Sequence, residues 1–339
     1  MKKNLSRCLL AAAITGLSIT ATADTTLRLA HLWPATSAVQ KEIFETWAQS
    51  VQEASAGELQ VEIYPSQTLS KSNKAYDAVV SGIADISVTL QGYTAGRFPL
   101  SEIVQLPGVA RDAPQGACIL QSLYDNGAIA QEYSDTHVLF MFTTGPGYLH
   151  TRDTDIQSPK DLEGLRIRRP SEVAGEMLSS MGAQPVGMPA PEIYSAMQRG
   201  VVDGLSFPWE AMKVFRINEL ANYHMQVPYY TGIIMATMNK GVYQSLSPEM
   251  KTVIDNNSGM KWAMTAGNVF NRLDEEGRQE AIDLGHTIRV MDDPLNDAQW
   301  SIPLREGTQN YLNTLQQRGL ETAQDVYQSA LDLRQKCAS

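Results

Sequence analysis

Arg168 is the residue whose type and place point most directly to chemistry. Leu165 and Ile167 alternate with Arg166 and Arg168, a period of two that reads as a short strand. Pro170 ends it, because proline has no N–H to give to a ladder. Ser171 then opens a segment with apolar residues at Val173, Met177, Leu178 and Met181, a helical stripe. Arg168 therefore stands at the carboxyl end of a strand, where ligands collect in open α/β sheets. A guanidinium there can grip a carboxylate through two parallel hydrogen bonds, which a lysine cannot match. The bland alternative is a surface arginine beside an acidic neighbour.

Further polar and aromatic groups fall at predicted strand ends. His31 and Trp33 follow a strand at 26–31, and Gln91 and Tyr93 follow one at 83–90. Tyr148 and His150 lie just past Gly145-Pro146-Gly147, and Phe207 and Trp209 follow Gly204. Convergence of such groups on one cleft is what a small-molecule site requires. Each has a structural alternative. Trp33 and Trp209 could anchor a core, His31 and His150 could be satisfied by backbone groups, and Ser171 has the position of a helix cap. The five histidines, His31, His137, His150, His224 and His286, show no metal-ligand spacing and no Cys/His cluster. Nucleophile-elbow, Walker and complete dinucleotide-binding patterns are absent, so no cofactor is expected and no enzyme class with a recognisable signature is indicated.

These residues need a scaffold, and the chain is long enough for two modest domains. It has 339 residues, 43% hydrophobic and 19% charged, the composition of a soluble globular protein. Formal charge is −10; setting aside the three positive charges of residues 1–23 leaves −13. Such a chain is a poor partner for nucleic acid or an anionic membrane. An anionic ligand must then be held by locally placed cations. The N-terminus carries Lys2, Lys3 and Arg7, an apolar run from Cys8 to about Ile19, and Ala21-Thr22-Ala23. That is a secretory signal peptide over residues 1–23, cleaved after Ala23. The apolar run is too short to span a membrane. Cleavage removes Cys8 and leaves Cys118 and Cys337, which in an oxidising compartment are one disulfide or two buried thiols.

The order of elements is β-α-β-α-β over the first ninety residues, which implies parallel strands covered by helices. The spacing predicts helices at 37–54 and 71–81 and strands at 26–31, 59–63, 83–90 and 138–142. Gly145-Pro146-Gly147 reads as a break and a first crossover into a second domain. A return strand is expected at 233–238. Ser247, Pro248 and Glu249 open a helix that the pattern carries to about Leu284. A strand at 286–290 and a closing helix from Asn296 to about Leu315, stopped near Gly319, complete the chain.

The segment around Arg168 resembles the solute receptors of tripartite ATP-independent periplasmic (TRAP) transporters, the DctP-like family. Members close a strand with D-x-x-G-x-x-x-R-x-P, matched here by Asp161, Gly164, Arg168 and Pro170. A helix beginning near P-E-x-Y follows, here Pro191, Glu192 and Tyr194, then a G-x-V-D-G turn at Gly200, Val202, Asp203 and Gly204. The resemblance implies a two-domain α/β periplasmic binding protein, class II-like, with a long helix spanning both domains. Domain I would be 24–145 with the return segment 233–260, and domain II 146–232 with 261–339, the latter partly spanning both. It further implies a non-enzymatic, monomeric receptor that closes on a small organic carboxylate and delivers it to TRAP membrane permease subunits. Arg168 takes the carboxylate-binding place. Members that bind a sialic acid carry asparagine where this chain has Phe207, and a second arginine whose nearest match is Tyr148, with Arg152 offset. One carboxylate clamp is thus expected, and Phe207, with Trp209, forms an apolar wall. That favours a monocarboxylate with an apolar, aromatic or modestly hydroxylated body. Two other classes fit the same residues: a binding protein serving an ATP-driven importer or a sensor, and a periplasmic enzyme acting on an organic acid.

Overall fold

A computed structural model describes residues 25–338. The expected signal peptide and its cleavage site lie outside the described residues. The chain begins with β1 (Thr25–His31), α1 (Thr46–Ala54), β2 (Leu59–Tyr64), α2 (Ala75–Val80) and β3 (Ile86–Leu90), the expected alternation. The helix expected at 37–54 starts as a π-type turn at Gln40–Glu45 before α1. Next comes α3 (Ala113–Asp125), opened by Asp112, whose side chain accepts from the Gln115 N–H at 2.8 Å. It leads into β4 (Thr136–Thr151), β5 (Arg166–Arg169), α4 (Glu172–Ser180), β6 (Gln184–Gly187), α5 (Ile193–Gln198), β7 (Gly204–Phe207) and α6 (Trp209–Val214). The return runs through β8 (Tyr223–Asn239), α7 (Lys240–Ser245), α8 (Pro248–Asn256), α9 (Met260–Asp283), β9 (Thr287–Val290), α10 (Ser301–Gln317) and α11 (Ala323–Lys336).

The strands form a sheet in the order β2-β1-β3-β8-β4-β7-β5-β6, with β9 also on β8. β4 and β8, 16 and 17 residues long, run antiparallel along their whole length. Both are about 50 Å when extended. One lobe gathers on β2-β1-β3 at the end where β3 meets Ile234–Met238. The other gathers on β7-β5-β6 at the end where β7 meets Tyr148–Thr151. Alternate residues of β8 serve two cores on opposite faces: Ile234, Ala236 and Met238 on one, Ile233 and Met235 on the other. This is the period-two consequence of the pleat.

Two expectations change in detail. Gly145-Pro146-Gly147 does not break the strand. β4 continues through it with register shifts between Thr143 and Pro146 and between Gly147 and Leu149, at the waist between the lobes. The helix read from Ser247 to Leu284 is two helices, because Gly259, at φ +69°, interrupts it just ahead of α9. α9 alone, 24 residues or about 36 Å, bridges the lobes. Its Gly267 lies on α3, and its Gly277 lies so close to α6 that a Cβ there would sit 2.1 Å from the Trp209 carbonyl oxygen. Cys118 on α3 and Cys337, just past α11, form a disulfide that ties the last helix to the first lobe.

Candidate ligand-binding site

A narrow cavity of about 20 Å³ lies between the lobes, at the carboxyl ends of β1, β3, β5 and β7. The first lobe contributes Leu32 and Trp33 after β1 and Leu90 and Tyr93 at the end of β3. The second contributes Arg168, Pro170, Ala190, Phe207, Pro208 and Glu210. Phe270 of α9 and Thr144, Tyr230 and Gly232 of the waist complete the wall with Ala211 and Phe215. This lining is apolar and aromatic, with a handful of polar groups.

Arg168 is fully buried. Its position follows from β5: Ile167 faces the core beneath, so Arg168 is turned to the opposite face, and Pro170 stops the strand beside it. Its Nε donates to the Met188 carbonyl at 2.9 Å, Nη1 to the Ser206 carbonyl at 3.0 Å, and Nη2 to the Tyr93 hydroxyl at 3.1 Å. Three of the five N–H groups of a guanidinium are thus used. One remains on each terminal nitrogen, the pair a carboxylate can take side by side. Its guanidinium carbon stands 5.0 Å from the centre of the Phe207 ring. Among the described residues it has no acidic partner. Arg166 differs: Asp203 receives its Nε at 3.0 Å and Nη2 at 2.6 Å. A buried cation held only by carbonyl and hydroxyl dipoles is electrically incomplete.

Tyr93 joins the lobes. Its hydroxyl accepts from Arg168 and from the Ala190 N–H at 3.0 Å. Both lone pairs are then occupied, and its own proton is free to donate. Ser171 caps α4, accepting from the Ala174 N–H at 3.2 Å, and donates to Gln105 Oε1 of the first lobe at 2.7 Å. Gly92 brings the lobes closest: a Cβ there would lie 2.6 Å from both the Pro170 carbonyl oxygen and Ser171 Cβ.

Arg168, Phe207, Trp33 and Tyr93 meet in the cavity. The other residues singled out in the sequence do not line it. Trp209 turns into the core, its ring centre 4.9 Å from those of His150 and His224, with Nε1 donating to Gln226 at 3.2 Å. Tyr148 packs against the same indole. His150 lies beneath Phe207 and is satisfied there. Its Nε2 donates to the Phe207 carbonyl at 3.0 Å, and its Nδ1 is 2.8 Å from His224 Nδ1. His224 Nε2 is in turn 3.0 Å from His286 Nδ1. Because a carbonyl only accepts, the tautomers follow: His224 and His286 each donate from Nδ1 along this row. Burial lowers His150 to about 4, and burial with the neighbouring imidazoles lowers His224 to about 2, so both stay neutral. His31 packs on Phe44 at 4.6 Å, lowered to about 4 by burial, and Gln91 is buried away from the cavity.

Sequence reasoning missed Glu210, Tyr230 and Phe270. Glu210 lies 2% exposed, and its backbone N–H donates to Asp274 Oδ1 of α9 at 3.0 Å. Burial, then the charge of Asp274, raises its carboxyl to about 8; the Trp33 side chain beside it opposes the rise. Burial likewise raises Asp274 to about 7 against the pull of the Glu210 and Trp209 N–H groups. Both acids therefore hold their protons far above the ordinary carboxyl range. Among the described residues, no group of acidic, histidine or cysteine side chains could hold a metal ion. No helix there is long and apolar enough to cross a membrane.

Comparison with known proteins agrees with this geometry. Residues 29–312 match the profile of the bacterial extracellular solute-binding proteins, family 7. The 2,3-diketo-L-gulonate-binding periplasmic protein YiaO of Escherichia coli (strain K12) is 26% identical over 69% of this chain and 70% of its own. A marine metagenome TRAP solute binding protein specific for aromatic acid ligands, crystallised with 3-hydroxybenzoate, superposes with a TM-score of 0.87 at 33% identity. That match covers 93% of this chain and 99% of the other. A TRAP solute binding protein from Rhodoferax ferrireducens T118, with copurified benzoate, gives 0.85 at 31% identity over 93% and 98%. The chain belongs to the family 7 bacterial extracellular solute-binding proteins, the solute-binding proteins of TRAP transporters.

Proposed function

We propose that this receptor captures a small monocarboxylate with an aromatic or other apolar body and delivers it to TRAP membrane permease subunits. One observation carries the reading: Arg168 is buried at the wall of an apolar cavity with no acidic partner among the described residues. The ligand's carboxylate supplies the missing charge, gripped by the two remaining guanidinium N–H groups and the Tyr93 proton. Phe207, Phe215, Phe270 and Trp33 enclose its body. The cavity as it stands is only about 20 Å³, room for about one water molecule, so the lobes part to admit the acid and the aromatic walls then close around it. A sugar acid would need many hydrogen bonds that this wall does not offer. The two relatives above 30% identity that hold benzoate or 3-hydroxybenzoate support the same class.

The lobes act as two domains, 24–145 with 233–260 and 146–232 with 261–339, the last segment partly spanning both, hinged at the waist of β4 and β8. Closure excludes water and strengthens the ion pair. The solute leaves chemically unchanged, and the receptor works as a monomer in the periplasm after removal of residues 1–23. An intact mass starting at Asp24 checks that processing; retention of residues 1–23 contradicts it. The functional reading is tested by thermal shift against a panel of organic acids, since a ligand bound only by the folded form raises the melting temperature. Benzoates or arylacetates should raise it, and uronates and dicarboxylates should not. A panel in which only sugar acids or dicarboxylates stabilise the protein overturns it.

A further inference from the structure

We propose that Glu210 sets specificity inside the cavity: its carboxyl hydrogen-bonds a hydroxyl or carbonyl substituent on the body of the acid whose carboxylate Arg168 holds. The assignment rests on the functional reading above and narrows its substrate class to aromatic acids bearing a second polar group.

Among the cavity-lining residues, Glu210 alone carries a buried polar side-chain atom with no partner, Oε1. Thr144, Arg168 and Tyr93 are each already held by protein groups. Thr144 Oγ1 donates to the Gly145 carbonyl and accepts from the Gly232 N–H at 3.0 Å. Arg168 and Tyr93 hold each other. A buried polar atom left alone is unfavourable, so something that completes it binds better than something that does not.

Glu210 is also fixed in place. It is the second residue of α6, the Asp274 carboxyl accepts its backbone N–H, and Gly277 of α9 lets that helix press against the Trp209–Glu210 backbone. Its side chain thus offers a defined point of contact rather than a mobile one. With its pKa raised to about 8, the carboxyl is protonated at neutral pH. A protonated carboxyl offers one donor and one acceptor, which suits a hydroxyl or a carbonyl. An ionised one would repel the ligand's carboxylate in the same small space. Glu102, also buried and raised to about 8, does not line the cavity and has no such role.

The test is calorimetric titration at neutral pH with benzoate and with the ortho, meta and para hydroxybenzoates. The proteins are the wild type, Glu210→Gln, Glu210→Leu, Glu210→Met and Arg168→Ala, each checked by circular dichroism. In the wild type the best hydroxybenzoate should bind at least about tenfold tighter than benzoate, equivalent to about 1.4 kcal/mol. Glu210→Gln, whose amide also offers a donor and an acceptor, should keep most of that ratio. Glu210→Leu should bring it close to one, and Glu210→Met, similar in length, repeats that comparison should leucine disturb folding. A wild type that favours benzoate, or apolar variants that keep the ratio within threefold of wild type, overturns the assignment while leaving Arg168-dependent binding intact. A wild type that binds none of these acids defeats the functional reading, and the assignment with it.

Discussion

Gly92→Ala is expected to weaken ligand binding while leaving the unliganded protein as stable as before. Gly92 follows β3 on one lobe and meets Pro170 and Ser171 on the other. Its backbone angles lie in a region any residue adopts, so alanine brings no conformational strain of its own. The added Cβ would stand 2.6 Å from a carbonyl oxygen and from another Cβ, and the oxygen belongs to backbone that cannot rotate away. Overpacking of this kind costs roughly 1–3 kcal/mol. It arises only where the lobes touch, so it falls on the closed form and not on either lobe alone. At about 1.4 kcal/mol per factor of ten, affinity should drop roughly 5-fold to more than 100-fold. Calorimetric titration gives the affinity, thermal denaturation without ligand gives the stability, and small-angle scattering shows a smaller compaction on ligand addition than in wild type. Binding within twofold of wild type, or an equal loss of unliganded stability, would refute the argument that this contact belongs to closure.

Phe207→Ala removes both the aromatic wall and the ring beside the Arg168 guanidinium. It should weaken an aromatic acid at least about tenfold more than a small hydroxy acid such as lactate, as a buried aromatic ring is worth several times a small contact; equal losses in paired titrations would make Phe207 mere core. Glu210, beside Asp274 from α9 and Trp33 from the β1 end and lining the same cavity as Arg168, binds its proton more tightly folded than unfolded, as do Asp274 and Glu102. Their contribution is complete below the unfolded values and is lost as pH rises through about 7 to 8. His150 and His224, lowered by burial, act in the opposite sense and only below their unfolded value of 6.5. Between pH 6.5 and about 8.5 the melting temperature without ligand should therefore fall, and Glu210→Gln should flatten the slope; a rising or unchanged profile contradicts the assignment of buried protonated acids. Replacing Cys118 and Cys337 by alanine should lower stability by about 2–5 kcal/mol in denaturant unfolding, because the bridge closes a loop of 219 residues; a loss below about 0.5 kcal/mol would show that the bridge does not restrain the unfolded chain.

Much of the site was legible because strand ends announce themselves. Tyr93 and Trp33 follow alternating segments that end in turn residues, Arg168 lies near the end of one, and the motif around Arg168 suggested the role proposed for it. Trp209 misled because Pro208 separates β7 from α6. Phe207 ends the strand and faces the cavity, whereas Trp209 starts the helix and turns inward to His150 and His224. Glu210 was passed over for a physical reason: an acid in a carboxylate site looks repulsive unless burial holds its proton, and burial is a tertiary property. Tyr230 and Phe270 reach the cavity from β8 and α9, far along the chain, and nothing local marks them. In the fold, Asn256-Asn257-Ser258-Gly259 is a run of turn formers that the helical period read straight through. α3 carried a start signal in Asp112-Ala113-Pro114, although the sequence reading assigned no element there. α11 begins without a side-chain cap, so its start carried no such mark. Gly145-Pro146-Gly147 looked like a break, yet the long β4 strand carries through it, because β8 pairs with both sides of the kink.

The central claim is that Arg168 binds the ligand's carboxylate, and calorimetric titration of Arg168→Ala with the best-stabilising acid of the panel tests it most directly. Removing one member of a buried charged pair costs roughly 2–5 kcal/mol. That predicts a loss of about 30-fold to several thousand-fold. Arg168→Lys should recover only part, since a point charge cannot reproduce the two-pronged contact. Arg166→Ala, which breaks the pair with Asp203 outside the cavity, should leave affinity within about threefold. Arg168→Ala binding within threefold of wild type while Arg166→Ala does not would contradict the account.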